Sequence, residues 1–242
     1  MTRVQKNNPL QRKISYAVFR YKSCALSDLE RGARKVVPPP LMPRVGKSET
    51  RIFSHYAGRC AAAVLLAKQS LDAFVVPNSA YGFLQIADAN YKIIPEQFLN
   101  ISHTRDIAVA VLGPSPVGID IEACARPISR RVLERVSLES ELNLLKDEKI
   151  IFWNGECPSP VALWSSKEAV SKAVGLGLKF GMKVFEIGLS PSGKFPVTIK
   201  AKGPFHLHSP MVQLLIDEEY AITICAETEI LKRGLRKIEV TL

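Results

Sequence analysis

Cysteine is sparse in this chain and never clustered. The five cysteines, Cys24, Cys60, Cys124, Cys157 and Cys225, are odd in number and form no CxxC pair. That argues against a disulfide framework or a cysteine zinc site and fits a reducing, cytoplasmic setting. Histidine is as scarce: with only His55, His103, His206 and His208, a histidine metal cluster is not expected. His206 and His208 have chelating spacing, but they sit in the Gly/Pro-rich stretch 203–210 and read as incidental. Long apolar runs are missing, and none approaches the ~18 residues that span a bilayer, so no membrane segment is expected. The first thirteen residues are polar and basic and lack the apolar core of a secretory signal. Aromatics make up 7% of the chain, and no zinc-knuckle or RNP-like string appears. A dedicated nucleic-acid module is therefore not the expectation, despite the basic composition.

What is present is a 242-residue chain with net charge +10 and an ordinary apolar fraction of 47%. That length suits one large domain or two modest lobes with a real core. The charge favours an anionic partner without choosing among them. Residues 1–37 are mixed in pattern, and Pro38–Pro43 reads as a stiff connector. From Glu49 to about Gln69, helical spacing and alanines predict a helix, with Ser48 as a possible N-cap. The stretch 77–95 is irregular, with turn residues at Pro77-Asn78 and Tyr81-Gly82. Residues 98–101 and 107–112 form a hairpin-like strand pair, and 117–121 follows as a third strand. Helical patterning resumes over roughly 129–146 and 160–174, with Gly175 and Gly177 where a C-terminal cap belongs. Strand-like runs at 184–187, 211–216 and 220–226 finish the chain.

Two segments carry the chemistry. Val117-Gly-Ile-Asp-Ile-Glu122 puts Asp120 and Glu122 on one face of a strand, about 6–7 Å apart at the backbone. Paired ionised carboxylates repel unless a cation lies between them, and oxygen ligands suit Mg²⁺ shared with phosphates. The bland alternative is a solvated acidic strand end, but apolar Val117, Ile119 and Ile121 mark the strand as partly buried. Trp164-Ser-Ser-Lys-Glu-Ala-Val-Ser-Lys172 then carries Lys167, Glu168 and Lys172 on one helix. Glu168 and Lys172, at i and i+4, read blandly as a surface ion pair worth ~0.2–0.5 kcal/mol. Functionally, Glu168 supplies a third metal ligand or a base, and Lys172 a cation for phosphate charge. Arg51 and Arg59 project from similar sides of the first long helix and suit a phosphate clamp, or else are solvated. His103 ends a strand, and Lys92 is a phosphate contact of low specificity.

In order, these blocks resemble the 4'-phosphopantetheinyl transferases of the larger, Sfp-type and EntD-like class. The resemblance rests on Arg51…Gly58-Arg59, Asn100-Ile-Ser-His103, Gly118-Ile-Asp-Ile-Glu122 and the run from Trp164 through Lys167-Glu168-Ala169 and Lys172 to Gly175-Leu-Gly-Leu178, and covers about residues 51–178. Ser54 departs from the acidic residue often found three after the first arginine, and the stretch before Asn100 is longer than usual for the class. The resemblance implies transfer of the phosphopantetheine arm of coenzyme A to a serine of an acidic acyl or peptidyl carrier protein, with release of 3',5'-ADP. It implies Asp120, Glu122 and Glu168 as ligands of Mg²⁺, or of Mn²⁺. Arg51, Arg59 and His103 would hold coenzyme A phosphates, with Ser102 and Lys92 as weaker contacts. Lys167 and Lys172 would neutralise the diphosphate, and Glu168 would take the serine proton directly or through a metal-bound water. The implied fold is α+β, a pseudo-two-fold pair of lobes over residues 1–115 and 116–242. Each lobe would be a small antiparallel sheet packed on a helix, and the chain would act as a monomer away from membranes. The rival readings are a metal-dependent phosphodiesterase or nuclease and a non-catalytic basic binding module.

Overall fold

A computed structural model describes residues 13–38, 41, 48–77, 83–146, 152–153, 157–177, 181–190, 192–201 and 203–241. In the first lobe lie β1 (Ile14–Arg20), α1 (Leu26–Ala33), α2 (Glu49–Lys68), β2 (Phe74–Pro77), β3 (Leu84–Ala87), β4 (Phe98–His103) and β5 (Ile107–Gly113). The second holds β6 (Gly118–Ala123), α3 (Arg130–Val136), α4 (Glu139–Leu144), β7 (Phe152–Trp153), β8 (Cys157–Pro158) and α5 (Ser159–Ala173). It continues through β9 (Phe185–Ile187), β10 (Lys194–Ile199), β11 (Pro210–Asp217), β12 (Tyr220–Glu227), α6 (Thr228–Leu231) and β13 (Leu235–Glu239). Most of the Pro38–Pro43 connector, the Tyr81-Gly82 turn, residues 1–12 and Leu178 lie outside the described residues.

The same winding occurs twice. In the first lobe a strand (β1) leads through helix α2 to an antiparallel pair, β4–β5, and β5 returns to lie beside β1. In the second lobe β6 leads through α5 to β11–β12, and β12 returns beside β6. The sheets run β13-β1-β5-β4 and β6-β12-β11-β10-β9. Their inner faces meet in an apolar layer of Val18, Val109, Ile119 and Ile222 among others. Helix α2 covers the outer face of the first sheet and α5 that of the second, which makes four layers: helix, sheet, sheet, helix.

The last strand departs from the expected division of the chain at residues 115 and 116. β13 crosses back and pairs in parallel with β1, Ile14 opposite Leu235, so residues 235–239 complete the first lobe's sheet and make it mixed. The expected helix over 129–146 is two helices, because Ser137 and Leu138 are extended and Glu141 accepts from the Leu138 amide at 2.7 Å. β1 has no visible alternation because both of its faces are covered. Ala17 and Phe19 pack towards α2 while Tyr16 and Val18 pack into the layer between the sheets.

Two glycines set the helix-to-strand distances that matter. A Cβ on Gly58 of α2 would lie 2.6 Å from Ile101 Cγ2, so glycine lets α2 settle onto β4. A Cβ on Gly118 of β6 would lie 1.9 Å from the Ala169 carbonyl oxygen, so α5 rests its backbone directly on β6. Each contact delivers the next functional residues, Arg59 beside His103 and Glu168 beside Asp120. At the end of α5, Gly175 takes the capping role foreseen for it, with φ 72° and its amide donating to the Lys172 carbonyl at 3.2 Å.

Candidate active site

The strand end of β4, the strand β6 and the helix α5 converge where the two lobes meet. Lys172 of α5 ties them together. Its ammonium donates to Asp120 Oδ1 at 2.7 Å, to Ser102 Oγ at 2.9 Å and to the Ile119 carbonyl at 3.1 Å. Ser102 Oγ donates to the same Asp120 oxygen at 2.7 Å. The other oxygen, Asp120 Oδ2, is buried and has no hydrogen-bond partner among the described residues. A buried carboxylate oxygen without a donor is costly unless something else engages it.

Glu122, one pleat along β6, is 7% exposed, and Asp120 is 3% exposed. Arg126 ion-pairs with Glu122, Trp164 Nε1 donates to it at 3.0 Å, and the Arg126 guanidinium lies 5.5 Å over the Trp164 ring. Burial holds the Glu122 carboxyl above its ordinary range, against the opposing hydrogen bond from Arg126. Glu168 faces both carboxylates. Burial, then the Asp120 charge, pushes its carboxyl up to about 7, with Lys172 opposing and Glu122 adding to the rise. Its ion-pair partner is Lys172, 3.8 Å away.

The three acids expected from sequence are therefore neighbours: the Asp120 charge raises the cost of ionising Glu122 and Glu168, and Glu122 adds to that of Glu168. No group of three His, Cys, Asp or Glu among the described residues stands preassembled as a metal cage.

Two basic side chains, Arg59 and His103, stand beside the cluster. Arg59 is half-buried, without an ion-pair or hydrogen-bond partner among the described residues, and burial lowers its guanidinium to about 10. His103 is open to solvent at the cleft edge. Desolvation, then Lys172 and Arg59, holds its imidazole below the usual value. A cavity of about 220 Å³ adjoins Lys172, lined by Leu84, Asn100, Ile101, Ser171 and Gly175 among others. A larger hollow of about 590 Å³ runs along α3 and α4; neither cavity is lined by Asp120, Glu122 or Glu168, but the smaller one borders Lys172, which binds Asp120.

Two sequence-based assignments need correction or restriction. Lys167 does not face the carboxylates: it is fully buried, with its ammonium bonded to Glu141, Met182 and Phe185. Adjacent helix positions point about 100° apart, so Lys167 and Glu168 cannot share a face. Lys92 is exposed in the turn closed by Asp88, and no contact ties its side chain to this cluster. Arg51 is exposed in the first turn of α2, eight residues or about 12 Å of helix from Arg59. Arg126 was missed, since it follows the strand in a turn where no periodicity reports its direction.

The segment that carries this constellation is similar to known proteins. A family model described as the 4'-phosphopantetheinyl transferase superfamily matches residues 116–225, the segment that carries β6 and α5. Among similar curated proteins, 4'-phosphopantetheinyl transferase psf-1 of Bacillus pumilus is 31% identical over 138 residues, covering 54% of this chain and 54% of that protein. The 4'-phosphopantetheinyl transferase Sfp of Bacillus subtilis (strain 168) is 28% identical over 139 residues, covering 55% and 56% respectively. The chain thus spans about half the length of these curated relatives. A holo-[acyl-carrier-protein] synthase of Helicobacter pylori, solved in complex with coenzyme A, is 26% identical and covers 46% of this chain and 97% of its own, with a TM-score of 0.36.

Proposed function

We propose that this protein moves the 4'-phosphopantetheine arm of coenzyme A onto a serine of an acyl or peptidyl carrier protein and releases 3',5'-ADP. The observation that carries the reading is the Lys172 junction. One ammonium binds Asp120 and Ser102, so a carboxylate and a cation that a diphosphate needs stand together at the seam of the lobes.

The donor set fits Mg²⁺. Asp120 Oδ2 is buried without a donor, and Glu122 and Glu168 present hard oxygens beside it. These three residues would hold the cation, which when bound neutralises the diphosphate and fixes its orientation. Arg59, a cation, and His103, a hydrogen-bonding group near Lys172 and Arg59, would take the phosphates of coenzyme A. The serine hydroxyl attacks the phosphorus that bears the pantetheine arm, and the bond to the departing 3',5'-ADP oxygen breaks. Glu168, which would share the cation, is also placed to accept the serine proton, the role of an acid–base side chain beside the reacting hydroxyl. Lys172 turns from Asp120 towards the charge that develops on the leaving phosphate. The net charge of +10 would draw an acidic carrier to the cleft.

Chromatography of a reaction containing apo-carrier, coenzyme A and Mg²⁺ tests the reading. 3',5'-ADP should appear only with carrier present, one equivalent per acceptor serine. Release without a carrier would favour a phosphodiesterase. Arg59→Ala should raise the KM for coenzyme A about tenfold or more and change kcat little, as loss of a charged phosphate contact does. An unchanged KM would take Arg59 out of the phosphate contacts.

A further inference from the structure

We infer that the buried Lys167–Glu141 pair is a positioning device that sets the rotation of α5, and with it the reach of Glu168 into the carboxylate cluster. Lys167 Nζ lies 2.8 Å from Glu141 Oε2 and donates to the Phe185 carbonyl at 2.6 Å and the Met182 carbonyl at 3.1 Å. Glu141 in turn accepts from the Leu138 amide at 2.7 Å and from the Ile187 amide at 2.8 Å. Lys167 and Glu141 are 0% and 1% exposed, so water cannot replace any of these bonds.

The pair therefore joins three segments to α5: the start of α4, the turn before β9, and β9 itself. A buried, fully bonded ion pair of this kind contributes little to net stability compared with apolar residues of the same size, but it defines one geometry. That geometry bears on the site because Lys167 immediately precedes Glu168. A rotation of α5 that moved Glu168 would break three directional bonds at Lys167.

Helix α5 has a second anchor, Lys172 on Asp120 and Ser102, and the Gly118 contact fixes its distance from β6. Neither holds the rotation during turnover. The Gly118 contact is non-directional, and Lys172 must leave Asp120 if it is to meet phosphate charge. The Lys167–Glu141 pair stays fixed throughout, on the side of α5 that faces α4 and β9, as does the buried Ser165–Thr223 hydroxyl bond of 2.8 Å to β12. Lys167 is thus a positioning residue acting through Glu168, and it reaches no phosphate itself.

The turnover part of the test rests on the transferase reading; the metal-binding part does not. In Lys167→Met/Glu141→Gln both charges are gone, so no unpaired buried ion opposes folding. This variant should keep its cooperative thermal transition, bind Mn²⁺ alone about fivefold or more weakly by electron paramagnetic resonance, and lose roughly 10- to 100-fold in kcat with a coenzyme A KM within about twofold, the signature of a misplaced catalytic group. Glu141→Asp keeps the charge and pulls the pair by one methylene. It should fold and lose several-fold in kcat, so the inference is tested even if the double variant does not fold. Wild-type Mn²⁺ affinity in either folded variant, or wild-type kcat with active wild-type enzyme, would overturn it. Wild-type protein that binds Mn²⁺ yet transfers nothing would sink the transferase reading and leave the metal-binding comparison standing.

Discussion

Glu168→Ala is expected to lower turnover by roughly 10³-fold or more, the scale of losing a proton acceptor together with a cation ligand. The fold should survive. The Glu168 side chain is partly exposed, and its ion-pair partner Lys172, at 3.8 Å, also bonds Asp120 and Ser102. Stability should in fact improve at high pH when the charge alone is removed. The folded protein holds the Glu168 proton up to about 7, well above an ordinary glutamate. Stability associated with that proton is therefore full below the unfolded value near 4.5 and is lost as pH rises through about 7. Glu168→Gln lacks this loss. Without divalent cations its Tm should exceed the wild type by about 2–4 °C at pH 8 and converge with it near pH 4. Equal Tm values at pH 8, or near-normal turnover in Glu168→Ala, would remove Glu168 from the cluster.

Gly118→Ala is expected to destabilise the protein by about 3 kcal/mol or more, at the upper end of overpacking costs. The added methyl would need to occupy space 1.9 Å from the Ala169 carbonyl and 2.6 Å from the Ala173 amide. Both are backbone atoms of α5, so no side chain can turn aside. The helix must lift off β6, and that separates Glu168 and Lys172 from Asp120 as well as opening the core. Urea unfolding measures the loss. A cost under about 1 kcal/mol would mean that α5 can shift freely on β6. The glycine of the Gly-Ile-Asp-Ile-Glu segment is thus explained by helix contact, without any need for a phosphate near it.

Much of the site was legible because its residues lie in regular elements. Period two placed Asp120 and Glu122 on one face of β6, and helical spacing placed Glu168 and Lys172 on one face of α5. The structure brings all four to one junction. The same spacing could have warned against Lys167, which lies one step from Glu168 and on another face. Its partner Glu141 is 26 residues earlier in the chain, and no local pattern links the two. Arg126 and the bond from Trp164 to Glu122 depend on tertiary packing alone. In the fold, continuous apolar runs such as 107–112 of β5 were readable even though both faces are covered. β1, which has no visible alternation, and β13, whose place is set by a strand at the other end of the chain, were not. The break between α3 and α4 is likewise set by a carboxylate cap, which periodicity does not report.

The intact mass of an apo-carrier protein after incubation with this protein, coenzyme A and Mg²⁺ tests the central claim most directly. The account predicts a gain of about 340 Da, the mass of the phosphopantetheine arm, on wild-type carrier and none when its acceptor serine is alanine. An unchanged carrier mass across fatty-acid, polyketide and nonribosomal-peptide carriers, with folded and metal-loaded protein, would contradict it.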